Sequence, residues 1–158
     1  MNLTIKTATK RDLPEIRQLF KDSILNVAIR DYSDQEVAEW SKTSDNEERW
    51  LSLIENQRVL LALNNETIVG FISLKDHEYL DFLYVHYEFQ RKGVAQFLYN
   101  RLEQLAIGLG AQELISDVSK TANPFFTKNG FNKIRENRNQ RGSEVLINYR
   151  MRKKLTSI

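Results

Sequence analysis

The segment Gln90-Arg91-Lys92-Gly93-Val94-Ala95-Gln96 has the residue types and spacing that could do chemistry. An apolar run, Leu83-Tyr84-Val85, precedes it, and an amphipathic pattern carrying Phe97 and Leu98 follows directly. Small residues at 93 and 95 let backbone N–H groups turn inward at a helix start, where the helix dipole also favours an anion. Arg91 and Lys92 bring positive charge to the same place. The chemistry on offer is retention of a pyrophosphate-like group. A short glycine pattern carries that meaning only between a strand and a helix, and the flanking patterns predict both.

The elements that would position this loop can be read along the chain. Leu3 to Ala8 alternates as a strand. Thr9 or Asp12, with Pro14 early in the following turn, opens a helix with Leu13, Ile16, Leu19, Phe20, Ile24 and Val27 on one face. Ser33 or Asp34 is expected to cap a second helix, and Ser44 or Asp45 a third through Trp50 and Ile54. Arg58–Leu63 and Thr67–Leu74 read as strands joined by an Asn64-Asn65-Glu66 hairpin turn, because Asn tolerates positive φ. Tyr79–Val85 is a third strand of this group. A long helix is expected from about Val94 to Leu109, stopped by Gly108 and Gly110. A strand over Leu114–Val118, a short helix over Thr121–Lys128 and a strand over Phe131–Arg135 follow. Asn137–Gly142 reads as a polar loop before a last strand from Glu144 to Met151. The order predicts a mixed α/β sheet with helices on its faces, antiparallel at the hairpins and parallel where the long helix crosses over.

Composition sets the bounds. The 158 residues, 41% hydrophobic and 28% charged, suit one domain over 1–158. The absence of cysteine excludes a disulfide framework, a thiol nucleophile and a thiolate metal site, and no metal is expected. The longest apolar stretches are too short to span a bilayer, and the first residues lack the apolar core of a secretory signal. A cytoplasmic location, with no membrane partner, is the expectation. The net charge is only +2, yet Lys133, Arg135, Arg138, Arg141, Arg150, Arg152, Lys153 and Lys154 crowd the last quarter. That cluster would be an electrostatic footprint for a nucleic acid; the low overall charge argues against such a partner.

Two separated motifs carry a family resemblance. Gln90-Arg91-Lys92-Gly93-Val94-Ala95 resembles the Q/R-x-x-G-x-G/A phosphate loop of the GNAT acetyltransferase superfamily, after a strand ending Leu83-Tyr84-Val85-His86. Ala122 through Phe125-Phe126-Thr127-Lys128-Asn129-Gly130-Phe131 resembles that family's later A-x-x-F-Y-x-K-x-G-F signature. Asp31-Tyr32-Ser33-Asp34-Gln35 with Trp40 is similar to one uncharacterised bacterial branch. The resemblance covers nearly the whole chain. It implies a sheet splayed between the strands bearing Leu83–Val85 and Leu114–Val118, with acetyl-CoA in the wedge. The pyrophosphate would lie on the amides of Arg91 to Gln96, and the pantetheine arm along Leu83, Tyr84 and Val85. The resemblance also allows a homodimer formed through the last strand.

Acetyl transfer to an amine needs a proton acceptor, a donor to the thioester oxygen and a fate for the thiolate. A strand N–H near Tyr84 or Val85, freed by the splay, would serve the oxygen. A period of two places side chains 79, 81, 83 and 85 on one face. Asp81 is therefore the candidate base or amine anchor; its alternative is a carboxylate paired with a nearby Lys or Arg. Glu78 and His77 are loop-borne alternatives, and His86 reads as a turn residue. The family's usual proton-donating Tyr is replaced by Phe126, which leaves a cofactor wall without a hydroxyl; Tyr84, Tyr99 and Tyr149 are the remaining phenols. Ser119 stands where the family often has a cofactor-contacting Asn. Tyr32 and Trp40 are candidate walls for the acceptor, a small-molecule or peptide amine. A coenzyme-A-binding module with weak catalysis, or a nucleic-acid-associated protein, are the competing readings.

Overall fold

Leu3–Thr7 forms strand β1, and the chain then enters helix α1, Leu13–Asn26, with Asp12 accepting from the Thr9 amide at 2.8 Å. Helix α2, Asp34–Ser41, is capped by Ser33, whose hydroxyl and Glu36 form a reciprocal box. Helix α3, Glu47–Asn56, is capped by Asn46 rather than by Ser44 or Asp45, which lie in a preceding 3₁₀ turn. An asparagine accepts the first-turn amide there, that of Arg49, at 3.3 Å. Strands β2, Arg58–Asn64, and β3, Thr67–Lys75, meet at a tight turn in which Asn65 takes φ 58°. Strand β4 is Tyr79–Val85, the long helix α4 is Val94–Gly108, and strand β5 is Glu113–Ser119. Gly108 belongs to the helix; Gly110, at φ 90°, is the residue that ends it. Helix α5 is Asn123–Lys128, and strands β6, Asn132–Arg141, and β7, Glu144–Lys154, close the fold. The computed structural model describes residues 1–155.

The seven strands form one sheet in the order β1-β2-β3-β4-β5-β7-β6. Only β4 and β5 run parallel, and they share a single ladder position, Tyr79 with Ile115. One step further along, the Leu80 carbonyl accepts from the Ser116 hydroxyl at 2.7 Å instead of from a strand amide. Beyond this bond the two strands share no ladder position. This is the splay expected between Leu83–Val85 and Leu114–Val118.

Two cores flank the sheet. Val94, Leu98, Leu102 and Ala106 of α4 pack on one face with Leu80, Val85, Leu114 and Phe126. Ile16, Phe20 and Ile24 of α1 and Trp50 of α3 pack on the other with Phe71 and Phe82. Each fully buried large side chain of this kind contributes about 1.5–3 kcal/mol by removal from water.

Two sequence expectations are corrected by the sheet. Residues 137–141 are not loop but the outer half of β6, paired with β7 up to Arg141 opposite Glu144. An edge strand that is polar on both faces gives no apolar–polar alternation. The expectation that Asp81 shares a face with Val85 also fails. Between Leu74↔Leu80 and Ile72↔Leu83, β4 carries one extra residue. The bulge is seated by Ser73, whose buried hydroxyl accepts from the Phe82 amide at 3.1 Å. Past the bulge the side chains change sides. Leu83 and Val85 face α4, while Phe82 and Tyr84 face α1, and Asp81 lies on that second side, bonded to Gln57 after α3.

Candidate functional site

The loop after β4 is built to gather amides. Arg91 and Gly93 both adopt left-handed backbone, φ 59° and 83°, and Gly93 caps α4. Alternating handedness turns successive N–H groups toward one point. The amides of Val94, Ala95 and Gln96 belong to the first helical turn, which has no intrahelical acceptors. Arg91 holds its conformation without glycine's freedom, a local cost of about 1–3 kcal/mol of the sort found at ligand clamps. Gln90 is the pin: its Nε2 donates to the Val85 carbonyl at 2.9 Å. Gln96 ties the same helix start to α5 by donating to Asn129 Oδ1 at 2.8 Å. His86 acts in the turn, with Nδ1 accepting from the Glu88 amide at 3.1 Å.

This loop forms one end of a largely apolar cavity of about 450 Å³, walled along its length by Leu83, Tyr84, Val85, Ser119 and Phe125. Gln90, Arg91, Gly93, Val94, Ala95 and Gln96 all border it. Lys92 does not; its ammonium sits 5.4 Å from the centre of the Phe89 ring. Lys128 of α5 takes its place as the second cation on the wall. Thr121, also on this wall, has a buried hydroxyl with no hydrogen-bond partner among the described residues. Sequence reasoning missed it because the motif around it carries no marker at that position. An anion cradle, two cations, an apolar trough and one orphaned hydroxyl fit a diphosphate joined to a long arm with occasional polar groups.

A second, polar cleft of about 610 Å³ lies on the other side of β4, between α2, α3 and the β6–β7 hairpin. The two cavities share Trp40, Leu83, Tyr84, Ser119 and Ala122. The strand backbone at their meeting point has a definite polarity. The His86 amide donates to Val69 of β3 at 2.8 Å, so by alternation the Val85 amide faces the other way, into the opened gap. The Val85 carbonyl taken by Gln90 points to that same side. Tyr84, one residue earlier, directs its own amide to β3. Of the two candidate N–H donors, Val85 is the one the splay frees.

Asp81 borders the polar cleft, where Gln57 Nε2 donates to its Oδ2 at 2.7 Å and leaves Oδ1 without a hydrogen-bond partner among the described residues. Trp40 and Tyr32 wall the cleft and meet edge to face, with centroids 5.2 Å apart. Tyr32 also latches the structure: its hydroxyl donates to the Ile147 carbonyl at 2.7 Å and accepts from the Lys120 amide at 2.9 Å. Burial drives its pKa up to about 12 despite the amide donor. Phe126 is buried and borders this cleft rather than the loop cavity, where Phe125 stands. Among the other phenols, Tyr99 is spent on Glu103 and Lys153. Lys133 covers the ring of Tyr149. Tyr84 alone of the three candidates reaches both cavities. Burial pushes its phenol well above the ordinary value, against the nearby charge of Arg49, so it stays protonated.

The far wall of the cleft is a network that sequence reasoning did not find. Arg150 grips Asp117 with Nε at 3.1 Å and Nη2 at 2.9 Å. Tyr79 donates to the same carboxylate at 2.6 Å and Asn137 at 2.8 Å. Burial alone would raise the Asp117 carboxyl, but the hydrogen bonds from Arg150, Tyr79 and Asn137 outweigh it and hold it below the usual range. A carboxylate with a depressed folded-state pKa stabilises the fold above its unfolded value, and that contribution disappears as pH falls through the folded value. Asp117→Asn should therefore lower the unfolding free energy at neutral pH by about 1–3 kcal/mol. Urea denaturation curves for variant and wild type should converge in acid. An equal gap at both pH values would show that the charge is not the stabilising element.

Much of the basic last quarter is committed to such pairs: Arg150 with Asp117, Lys153 with Glu103, Arg152 with Glu113 and Arg138 with Glu136. Among the described residues no group of three or more His, Cys, Asp or Glu converges as a metal site. No helix among them is long and apolar enough to cross a membrane.

The chain thus folds as a splayed mixed sheet with an amide-lined loop cavity on one side of its central strand and a polar cleft on the other. Residues 28–155 match the model of the acetyltransferase (GNAT) domain. The chain is 31% identical over 153 residues to the uncharacterised N-acetyltransferase YafP of Escherichia coli K12, covering 97% of each. A crystal structure of a GCN5-related N-acetyltransferase from Rhodopseudomonas palustris superposes with TM-score 0.93 at 30% identity, over 98% of this chain and 97% of that one. The fold is shared too with PaiA N-acetyltransferase of Thermoplasma acidophilum, solved in complex with coenzyme A. That match has TM-score 0.80 at 23% identity, over 98% of this chain and 100% of the other. The chain belongs to the GNAT acetyltransferase family.

Proposed function

We propose that the chain moves an acetyl group from acetyl-CoA directly to a primary amine held in the polar cleft, both substrates being bound together. The observation that carries this reading is the shared wall. The loop cavity and the polar cleft meet at Leu83, Tyr84 and Ser119, so two ligands can touch without leaving either site. The PaiA structure has coenzyme A bound, and the features of the smaller cavity described above suit that molecule.

When bound, acetyl-CoA supplies an acetyl group already activated as a thioester. The chain's residues do the rest. Amides of Val94, Ala95 and Gln96, with Arg91 and Lys128, hold the diphosphate, while Leu83, Val85 and Phe125 line the arm. The Thr121 hydroxyl gains the partner it lacks by bonding a polar group of that arm. The Val85 N–H donates to a carbonyl oxygen in the gap, a donor aimed before any charge develops. Asp81 holds the acceptor ammonium or takes its proton. Tyr84, protonated and present at both cavities, is the proton source for the departing sulfur in place of the hydroxyl that Phe126 lacks.

Release of free thiol from acetyl-CoA, followed continuously with a thiol reagent across a panel of primary amines, tests the reading. Amine-dependent release with a mass gain of one acetyl on the amine is expected. Tight acetyl-CoA binding with no release above hydrolysis for any amine would replace the enzyme with a coenzyme-binding module.

A further inference from the structure

Three guanidinium groups border the polar cleft with no ion pair among the described residues: Arg135, whose Nε donates to Asn137 Oδ1 at 3.1 Å, and the less satisfied Arg49 and Arg141. Arg49, on the first turn of α3, is stacked over three rings: Phe82 at 4.9 Å, Phe20 at 5.4 Å and Trp50 at 5.7 Å from guanidinium carbon to centroid. Its side chain makes no hydrogen bond and no ion pair among the described residues, although it lines the cleft. Arg141, at the tip of the β6–β7 hairpin on the same cleft, bonds only the neighbouring Gln140 carbonyl, at 3.1 Å. The charged groups around them are already spoken for. Arg150 holds Asp117, Arg138 holds Glu136, and Glu39, which lies against Gly142 at the hairpin tip, is held by Lys42.

The stacked rings explain how Arg49 stays in place without a counter-ion, because π faces attract a guanidinium and fix its plane. They do not satisfy its N–H groups. Burial disfavours the Arg49 cation most, Tyr84 and Asp81 support it, and the like charge of Arg141 opposes it again. A planar fork of donors, immobilised and unpaired beside a second cation, is matched by a carboxylate, which accepts two parallel N–H bonds. Asp81 borders the same cleft, near enough to Arg49 to feel its charge but not paired with it. The cleft thus holds unmatched positive charge beside one carboxylate, Asp81, that has no ion pair among the described residues.

We propose that the acceptor is an amino-carboxylate. Its anionic end binds the Arg49 fork, with Arg141 closing from the hairpin, while its amine lies toward Asp81. This rests on the acetyl-transfer reading for the amine but not for the carboxylate, and the two can be tested apart. A polycationic acceptor, such as a diamine or an aminoglycoside, would meet the two guanidiniums with like charge and is disfavoured by the same arrangement.

The test uses leucine, phenylalanine and glutamate, each with its primary amide and its decarboxylated amine, together with a diamine and an aminoglycoside. Thiol release and calorimetric binding are both recorded, the latter also with the corresponding carboxylic acids that lack the amine and with their amides. Wild type should favour the carboxylate form over the amide by about 10- to 100-fold in kcat/KM or Kd, the span of a charge-assisted pair. In Arg49→Met, which keeps the stem's volume among the rings, that ratio should fall close to one. Arg141→Gln, at the exposed hairpin tip, should reduce it partially and remains informative if the Arg49 variant does not fold. A purely structural Arg49 would lower thermal stability and leave the ratio unchanged. Carboxylates that bind no tighter than their amides, or a diamine or aminoglycoside as the best acceptor, would overturn the proposal. A carboxylate preference in binding that depends on Arg49, without thiol release from any amine, would uphold it and remove the acetyl-transfer reading instead.

Discussion

Gly93→Val is expected to weaken acetyl-CoA binding by at least about 100-fold, equivalent to losing two charge-assisted hydrogen bonds. The chain should nevertheless remain folded. Gly93 sits at φ 83° as the cap of α4, and a Cβ built on it meets nothing within 4 Å. The substitution therefore creates no clash inside the protein. Its costs are backbone strain of about 1–3 kcal/mol, severe for a β-branched residue, and a branched side chain at the cradle. Relief of that strain rotates the peptide that aims the first amides of α4. Calorimetry should show affinity collapsing while the far-ultraviolet dichroism is retained and the melting temperature falls by several degrees. Gly108→Ala is the control: it too meets open space, but lies at the helix's far end without positive φ. Undiminished affinity in the Gly93 variant would place the phosphates elsewhere and remove the basis for the whole site.

The contrast between the loop and the polar cleft explains what could be read from the chain beforehand. Gln90 to Gln96 is contiguous, and the end of its strand, the turn and the start of its helix lie within sixteen residues of the chain, 83–98. Local sequence is enough for such a unit. The splay was legible only through family resemblance, since the Ser116–Leu80 bond at its start joins residues 36 apart in the chain. Asp81 was singled out as a carboxylate on the central strand, and the face assigned to it was wrong. Strict alternation cannot register a bulge whose seat, Ser73, lies on the neighbouring strand.

The cleft's arginines were hidden for a related reason. Arg49 and Arg141 come from α3 and the tip of β6, far apart in sequence, and are brought to one cleft by the strand order β5-β7-β6 and by the helices over the sheet. Nothing in the local spacing of either marks it. Asn137, Asn139 and Asn148 did leave a signal. Two of them recur at a strand period, and the structure joins all three by amide hydrogen bonds. Read as periodicity rather than as polar composition, that pattern would have predicted the outer half of β6. The departure at Phe126 was equally legible, yet its consequence needed the structure: a buried ring on the polar cleft, with Tyr84 as the candidate phenol common to both cavities.

Asp81→Asn separates catalysis from folding at the centre of this arrangement. Asp81 borders the polar cleft and not the loop cavity, so acetyl-CoA affinity should be unchanged. Stability should hold as well. Gln57 donates to Asp81 while its own Oε1 is buried without a partner; an asparagine amide can still accept from Gln57 and can give that oxygen a donor. Turnover is a different matter, because an amide accepts no proton and offers no charge to an ammonium. If Asp81 is the base, kcat should fall by about 10²–10⁴. If it anchors the amine without taking its proton, the loss should appear mainly as a raised KM for the acceptor with kcat largely kept. The two outcomes divide the roles of base and anchor. Full activity with unaltered KM would take Asp81 out of the reaction, and the amine's proton would then leave by a path that avoids the one carboxylate of β4.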